Sequence, residues 1–236
     1  MTVFFVNCDF MKKINVYDDQ EHLNEGFTAF VLALLNEKEA VNICLSGGST
    51  PKAVFDYWSR VYKSVIPWSK IFFYWGDERC VPPTDELSNY GMTKKYLLDN
   101  IKIPEGNIFR IHGEDDPEKE AVRYGNILPS RFDLIILGIG EDGHTASIFP
   151  DNIRLWDSDA RCVVSVQPET QIKRVTITGK VINSAENVAF LATGNKKAEI
   201  VRNILYDYQN YINQYPAARV HPGSGNLFWF LDHNAI

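Results

Sequence analysis

The sequence predicts an α/β fold, a mostly parallel sheet with helices on both faces. Two observations carry this reading. The strand-like runs are short and continuously apolar rather than alternating, and stretches of helical length separate them. A third observation is that three of these runs stop in loops rich in glycine and charge, as strands do at the ligand edge of an open parallel sheet. The 236 residues contain no internal repeat, low-complexity run or long linker, so one domain over residues 1–236 is expected.

The elements follow in order. The start, "MTVFFVNCDFMKK", has an apolar run too short for a signal peptide, with its charges after that run. "DDQEHLNEGFTAFVLALLN" places Leu23, Phe27, Phe30, Val31, Leu34 and Leu35 on one helical face, with Asp18 or Asp19 as N-cap. "VNICL" is a buried strand broken by "SGGSTP". Pro51 suits the first residue of a helix whose inner face carries Val54, Tyr57, Trp58 and Val61. "IFFYW" is a second strand, stopped by the charged turn "GDER", and a helix is expected over 89–98. The polar stretch 114–130 reads as a helix with loose ends. "FDLIILGIG" is a third strand and its turn. "RCVVSV", "RVTIT" and "NVAFLA" are further strands, "NKKAEIVRNILYDY" is a helix, and "NLFWFL" closes the chain as a strand.

Composition narrows the class. Hydrophobic residues make up 45% and charged residues 23%, ordinary for a soluble globular protein able to bury a sizeable core. The formal net charge of -6 argues against a nucleic-acid partner, and no apolar run reaches membrane-spanning length. Cys8, Cys44, Cys80 and Cys162 are scattered without metal-like spacing, so reduced thiols and a cytoplasmic location are expected.

The chemistry is expected where the three loops meet. In "SGGSTP", Gly47 and Gly48 let backbone approach an anion. Ser49 and Thr50 offer hydroxyls, and the next helix offers free N–H groups at its positive end. The same pattern also suits a plain strand-to-helix turn. "GDER" sets Asp77, Glu78 and Arg79 at a strand end. In "GIGEDGH", three glycines, Gly138, Gly140 and Gly143, shape the approach to His144, with Asp142 two residues before it. A histidine takes a proton near neutral pH, which suits a general base. Asp142 and His144 find no third ligand at helpful spacing, so no metal is expected. Lys196 and Lys197 open a helix, where their charge opposes the helix dipole. A bound anion between lysine and helix end would remove that cost. His22, His112, His221 and His233 receive no role.

These motifs resemble, in order, those of 6-phosphogluconolactonases: "LSGGSTP", "GDER", "LGIGEDGHTASIFP", "RVTIT", "GNKKAEIV" and "LFWFLD". The resemblance runs from about the first helix to the C-terminus, and "GEDGHTASIFP" is its most specific part. It implies a Rossmann-like sheet in a superfamily shared with glucosamine-6-phosphate deaminases and ribose-5-phosphate isomerases. It also implies hydrolysis of 6-phospho-D-glucono-1,5-lactone to 6-phosphogluconate in the oxidative pentose phosphate pathway, without a cofactor. Carried over by motif, His144 is the base; Asp142 beside it is expected to orient the ring or to stabilise the imidazolium as it forms. Arg79 stands near the reacting centre. The substrate and its phosphate are expected at Gly47, Gly48, Ser49, Thr50, Asp77, Arg174 and Lys197. At "QPETQIK" the chain departs from relatives, which often carry a proline-rich run before the arginine. Deaminases of the superfamily typically read "DEY" and "GHIAFNEP", against "DER" and "GHTASIFP" here. A sugar-phosphate sensor would add a DNA-binding segment, and no basic helix-turn-helix stands out. The expected partner is therefore a small sugar-phosphate lactone, and no oligomeric state is assigned.

Overall fold

The computed structural model describes residues 2–7 and 10–236, so Cys8 lies outside the described residues. The chain opens with β1 (Thr2–Asn7), β2 (Phe10–Tyr17) and α1 (Gln20–Glu37), followed by β3 (Val41–Leu45) and α2 (Ser49–Val61). Next come β4 (Ile71–Trp75), β5 (Asp77–Arg79), α3 (Asn89–Tyr96), β6 (Ile108–Phe109), α4 (Pro117–Ile127) and β7 (Leu134–Leu137). Then follow β8 (Cys162–Val166), β9 (Lys173–Ile177), α5 (Gly179–Ser184), β10 (Val188–Ala192), α6 (Ala198–Tyr211) and β11 (Leu227–Asp232).

Eight strands form one sheet in the order β1-β2-β11-β10-β7-β3-β4-β6. Every neighbouring pair is parallel except β1 with β2. The central strands are the continuously apolar ones. β7 and β10 are buried at every position, because helices cover both faces and no strand residue meets water. Trp58, Trp75, Trp229 and Phe27 are among the largest fully buried side chains. This is the predicted α/β architecture.

Local details follow from side-chain chemistry. Asp19 caps α1, its Oδ1 accepting the backbone N–H of His22 at 2.9 Å. The helix after "SGG" starts at Ser49, so Pro51 is its third residue and not its first; its missing N–H still falls in the turn where none is needed. Val54, Tyr57 and Trp58 are buried as expected, but Val61 is 51% exposed because the helix runs out beyond the sheet there. A short 3-10 turn over Asn195–Lys197 precedes α6, so the two lysines lie ahead of the α-helix proper.

One part was not legible in the pattern. "GDER" is not a turn. It continues as β5, which leaves the main sheet and joins β9 and β8 in a separate antiparallel sheet. Gly76 is the joint: its N–H donates to the Leu45 carbonyl at 2.8 Å in the main sheet, and its carbonyl accepts from the Ile177 N–H at 2.8 Å in the small one. Among the described residues, no helix is long and apolar enough to cross a membrane.

The topology selects where a ligand binds. From β3 the chain goes to β4 on one side, and β7 takes the place on β3's other side. The strand order therefore reverses between β3 and β7, which opens a crevice beyond their carboxyl ends. "SGGST" follows β3 and "GIGEDGH" follows β7, so the two loops face each other across it.

Candidate active site

The loop after β3 supplies an anion cradle. Gly48 has φ +103°, in the left-handed region, and this turn aims the start of α2 at the crevice. The first N–H groups of α2 have no intrahelical acceptor, and the positive end of the helix favours a negative ligand. Ser49 lines the crevice. Thr50 does not: it is fully buried, and its hydroxyl meets the Thr193 hydroxyl at 2.9 Å. The expected Thr50 hydroxyl contact is therefore corrected, since helix geometry turns this side chain toward β10 and away from the ligand.

The small sheet supplies cations. Asp77 and Arg79 lie two apart on β5 and share one face, while Glu78 points to the other. There Glu78 accepts the backbone N–H groups of Asn89 and Tyr90, both at 2.7 Å, and so holds the start of α3. Arg79 stands directly opposite Arg174 in the antiparallel register, which sets two like charges side by side. The Nε atoms of both arginines are buried without a hydrogen-bond partner. Burial pushes the Arg174 guanidinium down from its ordinary pKa, and the carboxylate of Asp77 offsets part of this. Arg79 donates from Nη1 to the Leu87 carbonyl and Arg174 Nη1 lies near Asp77, so each guanidinium is partly satisfied, and its unpaired Nε leaves donor capacity at the crevice that suits an anionic ligand.

Asp77 is only 4% exposed. It accepts the Ser147 hydroxyl at 2.6 Å and lies 3.7 Å from Arg174 Nη1. Asn89 Nδ2 donates to it as well, at 3.3 Å. Its carboxylate is thus committed to protein groups, and a negative charge in this place repels phosphate. Expected among the substrate-binding groups, it lines the cavity, and its oxygens face Ser147, Asn89 and Arg174.

The loop after β7 supplies a histidine–aspartate pair. His144 Nδ1 lies 2.5 Å from Asp142 Oδ1, and the same oxygen accepts the His144 backbone N–H at 3.1 Å. The carboxylate makes Nδ1 the protonated nitrogen, which leaves the Nε2 lone pair as the basic site. Burial pushes the Asp142 carboxyl up, but the hydrogen bond and charge of His144 outweigh it and leave it below the ordinary value. Gly140 makes room for the pair, since a Cβ there would sit 2.2 Å from His144 Nδ1 and 2.4 Å from Asp142 Oδ1. Ala146, two residues on, is held at φ +47°, a strained conformation of the kind that collects at functional sites.

Lys197 reaches in from ahead of α6. Burial pushes its ammonium down, against the opposing pull of Glu141 and Asp232. Lys196 is 80% exposed and lies 4.0 Å from Glu141, so the two neighbouring lysines separate into a surface residue and a crevice residue.

These groups bound one cavity of about 180 Å³. Gly47, Gly48, Ser49, Asp77, Arg79, His144, Arg174 and Lys197 all line it, and Asp142 stands behind His144. Sequence reasoning missed Asn89 and Ser147. Asn89 lines the cavity and ties α3 to Asp77, while Ser147 joins the histidine loop to the small sheet. A lone asparagine after a serine reads only as a helix start, and no signal marks its second contact.

A family model described as glucosamine-6-phosphate isomerases/6-phosphogluconolactonase matches residues 19–229. The chain belongs to this family. It is 41% identical over 202 residues to a 6-phosphogluconolactonase of Haemophilus influenzae, covering 83% of this chain and 86% of that one. It is 38% identical over 206 residues to a 6-phosphogluconolactonase of Treponema pallidum, covering 84% and 85%. A solved 6-phosphogluconolactonase of Thermotoga maritima superposes with a TM-score of 0.83 at 29% identity, covering 94% of this chain and 99% of that one. The residues matched by the family model, 19–229, include all three crevice loops.

Proposed function

We propose that this chain, acting as a single domain, hydrolyses 6-phospho-D-glucono-1,5-lactone to 6-phospho-D-gluconate by general-base activation of water. The observation that carries the reading is that one cavity is lined both by His144, paired with Asp142, and by Arg174, Lys197 and the start of α2, groups that together suit a dianion.

The phosphate binds the cationic end, and this fixes the lactone C1 near His144. His144 Nε2 removes a proton from water as its oxygen attacks C1, and the carbonyl electrons move to the oxygen. Asp142 stabilises the imidazolium that forms. Arg79, with its unpaired Nε, faces the developing oxyanion. The carbonyl then re-forms, the C1–ring oxygen bond breaks, and the imidazolium returns its proton to that oxygen. The product is the open-chain carboxylic acid, which loses a proton to solvent. A lactone is an activated ester, so no covalent intermediate is needed.

The test is a rapid assay with freshly made 6-phosphogluconolactone, corrected for spontaneous hydrolysis. Enzyme-proportional acceleration is expected. A rate equal to the spontaneous one would remove the reading.

A further inference from the structure

Phe149 is 1% exposed, yet it stands apart from the continuous hydrophobic core. Its ring touches the site. The His144 ring lies 4.7 Å from it, centroid to centroid, at 45°. The Arg174 guanidinium carbon lies 5.8 Å from its centroid. The one aromatic ring therefore touches both the proposed base and the cation proposed for the phosphate. Its backbone is pinned as well. Phe149 N–H donates to Asn152 Oδ1 at 2.8 Å, and Asn152 Nδ2 donates to Ser165 Oγ on β8 at 2.9 Å. The histidine loop is thus fastened to the small sheet at the point where the ring inserts.

We infer that Phe149 is a positioning residue that sets the distance between the general base and the phosphate grip. The inference rests on the proposed lactonase reading. The two charged groups come from different layers, His144 from a loop of the main sheet and Arg174 from β9 of the small one. Both are partly positive during the reaction, so electrostatics drives them apart. A rigid ring in contact with both fixes each of them relative to one body of constant size. The substrate spans the same two groups, so the ring's width decides where C1 stands relative to the activated water. A displacement of about 1 Å in such a geometry costs on the order of a hundredfold in rate.

The test uses the full chain carrying Phe149→Leu and Phe149→Tyr, assayed on 6-phosphogluconolactone and on unphosphorylated gluconolactone. Folding is checked by thermal melting. Phe149→Leu is expected to lower kcat on the phosphorylated substrate by roughly ten- to a hundredfold. The loss on the unphosphorylated lactone should be several-fold smaller, because that substrate is not anchored at Arg174. Phe149→Tyr keeps the ring and should retain most of the activity. Ring-proton NMR shifts of His144, displaced by the Phe149 ring current in the wild type, should move in the leucine variant and stay in the tyrosine variant. If Phe149→Leu does not fold, Phe149→Met, of similar volume and without a ring, takes its place. Equal losses on both substrates, or wild-type kcat in a folded ringless variant, would overturn the inference. The lactonase reading fails separately, if the wild type shows no acceleration or if His144→Ala keeps full turnover.

Discussion

At the scale of the residue, His144, the proposed base, shows how much a histidine's role depends on its surroundings. Four other histidines in the chain have the same chemistry, and three of them also sit beside an aspartate: His22 with Asp19 at 2.8 Å, His112 with Asp115 at 3.2 Å and His233 with Asp18 at 3.1 Å. What sets His144 apart is the cavity before it and the Gly140 space behind it. His144→Ala is expected to lower kcat by roughly two to four orders of magnitude, the usual contribution of general-base catalysis. KM should change little, because the phosphate grip is elsewhere. Steady-state kinetics on the folded variant measures both, and near wild-type turnover would take His144 out of the mechanism. The motif points to His144 and Asp142, and the structure sets the two side by side at the cavity. The placement of Thr50 was not legible from sequence, because a hydroxyl beside an anion loop and a hydroxyl turned into the core look alike until the helix phase is known.

At the scale of the element, the small sheet and α6 bring in the cations. Arg79 and Arg174 lie 95 positions apart in the chain and face each other only because β5 leaves the main sheet at Gly76. A charge-assisted hydrogen bond contributes about 1.5–3 kcal/mol, so Arg174→Ala or Lys197→Ala should cost roughly ten- to a hundredfold in kcat/KM. The loss should be much smaller on unphosphorylated gluconolactone, and equal losses on both substrates would withdraw these residues from phosphate binding. α6 is tied down by Lys12 of β2. Its Nζ donates to the carbonyls of Ile204 at 2.9 Å and Leu205 at 3.2 Å, close to the kink at Asp207. Burial lowers the Lys12 pKa from 10.5 to about 8. Between those two values the unfolded chain binds more protons at this site than the folded one. The Lys12 contribution to stability therefore rises with pH across that window and is lowest below pH 8. Denaturant unfolding of the wild type and of Lys12→Met from pH 7 to 10 should show the wild type gaining on the variant; a constant difference would contradict the assignment.

At the scale of the whole molecule, a chain of net charge -6 collects Arg79, Arg174 and Lys197 at one crevice to receive a negatively charged substrate. Among the described residues, the grouping able to hold a metal is His112, Asp115 and Glu120. None of these lines the cavity, and Glu120 is taken up by Arg123 at 2.6 and 2.7 Å. Activity should therefore survive exhaustive chelation, and a loss restored by one added metal would show that a metal takes part. The sequence by itself determined the parallel α/β sheet, because a strand buried on both faces must be apolar at every position, as in "LIIL" and "VAFLA". It also determined the histidine and anion loops, because glycines beside polar groups at strand ends mark close backbone approach to a ligand. Tertiary structure alone decided that "DER" pairs with "KRVTI", that Asp77 stands beside Arg174 and Ser147, and that the Phe149 ring touches both His144 and Arg174. Those outcomes depend on register and on packing between segments distant in the chain. A local pattern records which side chains a segment offers, and it carries no record of which distant segment will stand opposite.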